Sequence, residues 1–363
     1  MKNNLNKYFF LGLILILGFA SCKNDSITFP DYETQAVYFP IQYPIRTLVL
    51  GEDRLDNSID LEHAFNVGVS IGGMYENKND WRVDYKVDST LLAKVEATDM
   101  SNNIVNVKLL PANYYSIIPT TSITIPQGSF TGLARVQLTD AFFNDPNAYK
   151  FYYVLPLSIV STNAQSILSG IPASGVTNPN PHNVADYLPL KNPKNFTIFG
   201  IKYINPWHGT FFHRGVQIKN AVPDKVFHAQ DLEKNTTTNI TTSAYKEAIY
   251  TKMGAFEGSA YASKLTFSDA VNGVGDVTVS SVSGSTKIAK GTGKYYKSTT
   301  DFARQYGSWL VDPKTGTSQP HLTITLNFTV TGIIPSITYQ FLDTIVFRDN
   351  GVKFENYKVG IKQ

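Results

Sequence analysis

From Trp81 to Asp88 the chain reads WRVDYKVD, with Trp81, Val83, Tyr85 and Val87 at one parity and Arg82, Asp84, Lys86 and Asp88 at the other. Side chains of a strand alternate between its two faces, so this run predicts an antiparallel strand with one face buried and one wet. Comparable runs surround it: QAVYFP (35–40), RTLVLGE (46–52), FNVGVSIGG (65–73), VKLLPANYYSI (107–117), TSITIPQGSFTGLARVQLTD (121–140) and KFYYVLPLSIV (150–160). About seven strands with turn residues between them predict an immunoglobulin-like β-sandwich over residues 33–163. DSTLLAKVEA (88–97) leaves period two and is expected to supply one short helix.

Alternation stops at residues 164–195, where five prolines fall in a stretch without sustained period. That composition predicts a connection between two domains, partly packed rather than floppy. It resumes in FTIFGIKYI (196–204), HGTFFHRGVQI (208–218), SKLTFSDAV (263–271), GDVTVSSV (275–282) and TKIAKGTGKYYKS (286–298). HLTITLNFTV (321–330), ITYQFLDTIVFRD (337–349) and VKFENYKVGI (352–361) follow. Eight or more meandering strands over 196–363 predict an antiparallel β-barrel or curved sandwich, so the whole chain is expected to be all-β. DNG (349–351) signals a tight hairpin, and AVNGVGD (270–276) a looser one. SAYKEAIYTKM (243–253) is ambiguous, because Tyr245, Ala248, Ile249 and Met253 also fit one face of a helix.

The 32 basic and 29 acidic residues give a net charge of +3, and charged residues make up 17% of the chain. That share is below the ~25% of an average domain. No basic run exceeds two residues, so a nucleic-acid partner is not expected. Ser, Thr, Asn, Tyr and Phe take the place of charge, which suits strands with polar outer and aromatic inner faces.

The N-terminus carries Lys2 and Lys7, an apolar stretch from Tyr8 to Phe19, and the small residues Ala20 and Ser21 before the chain's one cysteine, Cys22. This is the plan of an export signal, residues 1–21, and its apolar part is short for a membrane span of ~20 residues. The stretch resembles a bacterial lipobox, with Phe19 where leucine is commoner. The resemblance implies cleavage before Cys22 and acylation of its thiol and new amine, with two or more acyl chains giving stable anchoring. Residues 22–32 then serve as a tether. Lys23-Asn24-Asp25 looks like a partial form of the Lys-then-acidic export signal of Bacteroidota surface lipoproteins, which implies an outer-membrane, cell-surface location. With Cys22 consumed, no disulfide or thiolate chemistry remains.

YFPIQYPIRTLVLGED, VGVSIGGMYENKNDWRVDYKVDSTLL and VKLLPANYYSI…SITIPQGSFTGLARVQLTDAFFN…YVLPLSIV are similar to an Ig-like domain of Bacteroidota lipoproteins. That domain has no assigned function and recurs in polysaccharide-utilisation gene clusters; the similarity spans about residues 33–162. FGIKYINPWHGTFFHRG and the strands after it look like the lipocalin-like barrel that often follows. The resemblance implies a lipid-anchored glycan-binding protein that works beside a TonB-dependent transporter. A structural or adhesive lipoprotein that contacts proteins is the alternative, and a glycoside hydrolase is a lesser one.

Glycoside hydrolysis needs two carboxylates held across a sugar. The acids here, from Asp224 to Glu355, are scattered, and no catalytic signature is expected. His63, His182, His208, His213, His228 and His321 read as surface or turn residues, and no metal site is expected. Asp140, Asn144 and Asp145 lack the dense acids of a calcium loop and read as a capped turn. No Gly-rich phosphate cradle or Gly-x-Ser-x-Gly elbow is present, so no cofactor is expected. The remaining signal is aromatic. Sugar rings rest C–H faces on aromatic planes while their hydroxyls seek planar polar groups. Trp207, His208, Tyr295, Tyr296, Asp301, Arg304, Tyr306 and Trp309 are the candidate glycan-binding residues. The alternative is that many of these rings fill a β core.

Overall fold

The computed structural model describes residues 30–361 apart from Lys94 and Pro313. The export signal and Cys22 lie outside the described residues. In the strand Trp81–Val87, Val83 and Tyr85 are buried while Arg82 and Lys86 face solvent, as the alternation requires. Half-buried Trp81 donates its indole N–H to Asn77 at 2.7 Å.

The first unit is a sandwich of two sheets. One runs in the order Ser166–Ile167, Ala36–Tyr38, Ala64–Gly72, Thr131–Leu138, Tyr115–Ile118. The other runs Glu355–Asn356, Pro44–Val49, Phe196–Ile204, Tyr153–Thr162, Trp81–Val87, Ser122–Ile125, with Lys108–Leu109 beside Tyr153 and Val154. Between the sheets, Val37, Phe65, Val67, Val83, Ile123, Val136, Leu155 and Tyr203 form a continuous core.

Several local expectations are revised. Phe196–Ile204, expected to open the second unit, pairs in parallel with Pro44–Val49 and antiparallel with Tyr153–Thr162 inside the sandwich. Its near-continuous apolar run is buried on both faces, Ile201 and Tyr203 in the main core, Phe196 and Ile198 in a second cluster with Val154 and Tyr357. A doubly covered inner strand has such a run, and sequence does not say which sheet it joins. DSTLLAKVEA gives a single 3₁₀ turn, Ser89–Leu92, capped by Asp88, and then a strand, Val95–Thr98. The DNG hairpin does not form: Gly351 turns at φ +68° and sends the chain back to the sandwich, where Glu355 and Asn356 pair with Ile45 and Pro44. The 270–276 turn does form, with Asn272 and Gly273 both at positive φ between Ser263–Phe267 and Val274–Ser281. The stretch 243–253 is strand, not helix. Residues 164–195 pack on the sandwich through backbone bonds such as Leu168 N–H to Val37 O and Phe39 N–H to Lys194 O.

Eight antiparallel strands make the second unit: Gly209–Lys219, Thr237–Ala244, Glu247–Tyr250, Ser263–Phe267, Val274–Ser281, Ile288–Tyr296, Thr323–Thr331 and Thr338–Asp349. Pairing of Gly209–Lys219 with Thr338–Asp349 closes them into a barrel. A barrel of about eight strands has an interior that side chains can fill. Here Phe211, Tyr250, Leu265, Val277, Ile324, Phe328 and Phe341 fill it.

The two units are fastened directly. Asn205 donates to Ala244 O at 3.1 Å and Glu247 O at 2.8 Å, and the Tyr245 ring packs on Phe143 at 5.5 Å. Gly51 lies so close to the barrel's neck that an added Cβ would sit 2.7 Å from Pro206 Cα.

Candidate functional site

A cleft of about 910 Å³ opens where the loop after Pro44–Val49 meets one end of the barrel. The sandwich contributes Leu50, Glu52, Arg54 and Asn57. The barrel contributes Trp207 from its neck, Tyr295 and Lys297 from the end of one strand, and Trp309 and His321 from an excursion between two strands. That excursion is a short helix, Asp301–Tyr306, followed by the hairpin Ser308–Val311 with Ser318–Pro320.

Trp207 and Tyr295, both buried, are part of the cleft's lining. Trp207 stacks on Phe267 with centroids 4.0 Å apart and planes 4° off parallel, and Tyr295 meets it edge-on at 5.2 Å. Such aromatic pairs add about 0.5–1.5 kcal/mol beyond area burial. Burial raises the Tyr295 phenol, with Asp269 adding to the shift, and its O–H donates to Ser268 O at 2.8 Å. Trp309 is half-buried, its N–H donating to Phe347 O at 2.9 Å and its ring 5.0 Å from His321.

The Glu52 carboxylate spans the two units. It accepts from Ser298 N–H at 3.3 Å and Leu322 N–H at 3.2 Å and lies 3.7 Å from His321 Nδ1. Burial works to raise this carboxyl, but the contacts with His321, Leu322 and Ser298 prevail and hold it below the usual range.

Of the eight candidate residues, the structure thus brings Trp207, Tyr295 and Trp309 together and leaves five elsewhere. Tyr296 has the opposite parity to Tyr295 and stacks outside on Phe302 at 4.0 Å, which meets Tyr306 at 4.7 Å. Asp301 opens the short helix and is exposed. Arg304, also exposed, lines a neighbouring shallow groove with Ser298, Thr299 and Gln319. His208 belongs to the scaffold: its Nδ1 accepts from Thr242 N–H at 3.0 Å, and burial, aided by Lys202, pushes it down to about 4.

The histidine expectation also needs correction. His213 is fully buried in the barrel, its Nε2 3.1 Å from Asp343 Oδ1 at an angle that makes no hydrogen bond. Tyr250 donates to the other oxygen of Asp343 at 2.8 Å, and burial, then Asp343 itself, raises that phenol far above its ordinary value. His182 is half-buried, 2.8 Å from both the Tyr43 hydroxyl and Leu91 O. By contrast Asp145 forms the expected capped turn, accepting from Asn147 N–H at 2.7 Å and from the Tyr114 and Tyr153 hydroxyls at 2.8 Å each.

Sequence reasoning missed Glu52, Arg54, Lys297 and His321. Lys297 adjoins a flagged aromatic pair, and Glu52 follows a glycine at the end of a strand run, the one local sign of a close approach. A second groove of about 490 Å³ lies on the sandwich between Ile41, Arg46, Leu55 and Phe354. It has no tryptophan and is the weaker candidate for a sugar ring.

Residues 32–166 match a family model described as a "-like, N-terminal domain". No curated protein matches the chain. A Bacteroides ovatus protein of unknown function, known from a crystal structure at 2.40 Å, is similar over 92% of this chain and 100% of its own, with 29% identity and a TM-score of 0.75. Another from the same organism, at 2.61 Å, matches over 88% of this chain and 97% of its own with 13% identity and a TM-score of 0.41. The first match runs through both units, so sandwich and barrel occur together in that protein as well. Fold and comparisons fit an all-β protein of Bacteroidota type.

Proposed function

We propose that this is a lipid-anchored protein of the outer-membrane surface that captures a polysaccharide or host glycan for a TonB-dependent uptake system without cleaving it. The cleft between sandwich and barrel is its binding site. One observation carries the reading: Trp207 on the barrel's neck, Tyr295 at a strand end and Trp309 on a hairpin line one cleft with Arg54, Asn57, Lys297 and Gln319. Its volume falls within the ~300–1,000 Å³ of small-ligand sites, and it combines the half-buried Trp309 ring with polar side chains. The non-catalytic part draws support from Glu52, whose carboxylate is engaged by two backbone amides and so acts as a strut. A tethered binder holding several units of one polymer gains by effective concentration.

Gel retardation of the full chain in polysaccharide-loaded native gels tests the binding. Retardation by at least one polysaccharide, lost in Trp309→Ala, is expected. A transporter complex that survives Trp309→Ala, together with no retardation by any polysaccharide, would replace this reading with that of a structural partner. Anchoring is tested separately: Cys22→Ser should move the protein from the membrane to the soluble fraction.

A further inference from the structure

We propose that the cleft selects an acidic saccharide, one that carries a carboxylate or a sulfate; this rests on the glycan reading above. Of the two carboxylates that line the cleft, Glu52 is engaged through both oxygens and Asp53 through one. Glu52 is held by Ser298 N–H and Leu322 N–H beside His321. Asp53 Oδ1 turns back on its own loop and accepts from Arg54 N–H at 2.6 Å and Leu55 N–H at 3.4 Å.

The cations are less committed. Arg54 stands on the sandwich wall and Lys297 on the barrel wall, both exposed, and neither makes an ion pair among the described residues. Arg348, at the same end of the barrel, has Asp349 only at 3.8 Å. The Trp207 indole N–H has no acceptor, although the residue is about 95% buried in the lining of the cleft, with 5% relative exposure. An indole nitrogen donates and never accepts. Three cations, Arg54, Lys297 and Arg348, thus line the cleft against two carboxylates, and positive charge stands on both its walls. A charge-assisted bond from guanidinium to carboxylate or sulfate is roughly twice as strong as a neutral one, so an anionic sugar gains most from this arrangement.

Isothermal titration calorimetry of the full chain with tetragalacturonate, a chondroitin sulfate tetrasaccharide and uncharged cellotetraose tests the proposal. At least one acidic tetrasaccharide should bind about tenfold more tightly than cellotetraose, and its affinity should fall several-fold as salt rises from about 0.05 to about 0.5 M. Arg54→Gln and Lys297→Gln should each weaken acidic binding by about fivefold while the thermal midpoint stays in place. Equal binding of cellotetraose, with both variants silent, would overturn the acidic preference and leave the glycan reading standing. Acidic binding indifferent to both variants would overturn the assignment to this cleft's cations. If no saccharide binds here and none retards the chain in gels, the glycan reading falls, and this inference with it.

Discussion

In the sandwich, the apolar core from Val37 to Tyr203 is unbroken, and ionisable groups sit at its margins: Asp145 under two tyrosine hydroxyls, Asp60 paired with Arg46 and accepting from Val49 N–H. In the barrel, His213, Gln217 and Asp343 share the inward parity of Phe211 and Phe341 and are almost wholly buried. Two flat sheets can push polar groups outward to their rims. A closed tube has no rim along its length, so inward polar residues are held inside it. Asp343 finds Tyr250, and Gln217 finds Asp224 at 2.5 Å and Ala255 N–H at 3.0 Å. Gly215 leaves the room: an added Cβ there would press into Asp343 Oδ1 and come within 2.7 Å of Leu342 O. The sandwich core should therefore tolerate apolar exchange, while the barrel depends on a few specific polar contacts.

The sharpest way to break this contrast is Asp343→Ala, which strands the Tyr250 hydroxyl and leaves a void beside His213. It should cost about 3 kcal/mol or more in urea denaturation, with Asp343→Asn costing less because it still accepts from Tyr250. Next comes pH. His208 is held down to about 4 in the folded chain against an ordinary 6.5, so the unfolded chain binds the extra proton in that window. Stability is then complete above about 6.5 and declines as pH falls toward 4, by about 3 kcal/mol from this residue. His208→Gln should flatten that part of the profile. His63 and His182, also lowered by burial, contribute a residual slope of the same sign. A smaller effect tests the seam between the units. Gly51→Ala forces the loop off Pro206 and should cost about 1–3 kcal/mol, splitting one calorimetric transition into two. Least of all, Lys294→Ala removes the exposed ion pair with Asp276, 2.8 Å long on the barrel's outside, and should leave the midpoint unmoved.

Period-two alternation reveals the strands and the all-β class, because the inward parity is mostly apolar in both units. It does not reveal partners. Phe196–Ile204 reads like any buried strand, and only its pairings with Pro44–Val49 and Tyr153–Thr162 place it in the sandwich. The site was legible only in part for a related reason. Aromatic composition points to Trp207, Tyr295 and Trp309, but Tyr295 and Tyr296 differ only in parity, and one faces in while the other faces out. Glu52 and Lys297 are separated by most of the chain, and beyond the glycine before Glu52 no local sign places them on one cleft.

The central claim is that the seam between sandwich and barrel is where a saccharide sits, and tryptophan fluorescence reads it directly. Of the chain's three tryptophans, Trp207 and Trp309 line the cleft and Trp81 stands on the sandwich. Titrating the full chain with a saccharide that retards it should shift the emission, and the shift should persist in Trp81→Phe and shrink in Trp309→Phe. A shift that survives Trp309→Phe and vanishes in Trp81→Phe would contradict the account and move the site to the sandwich.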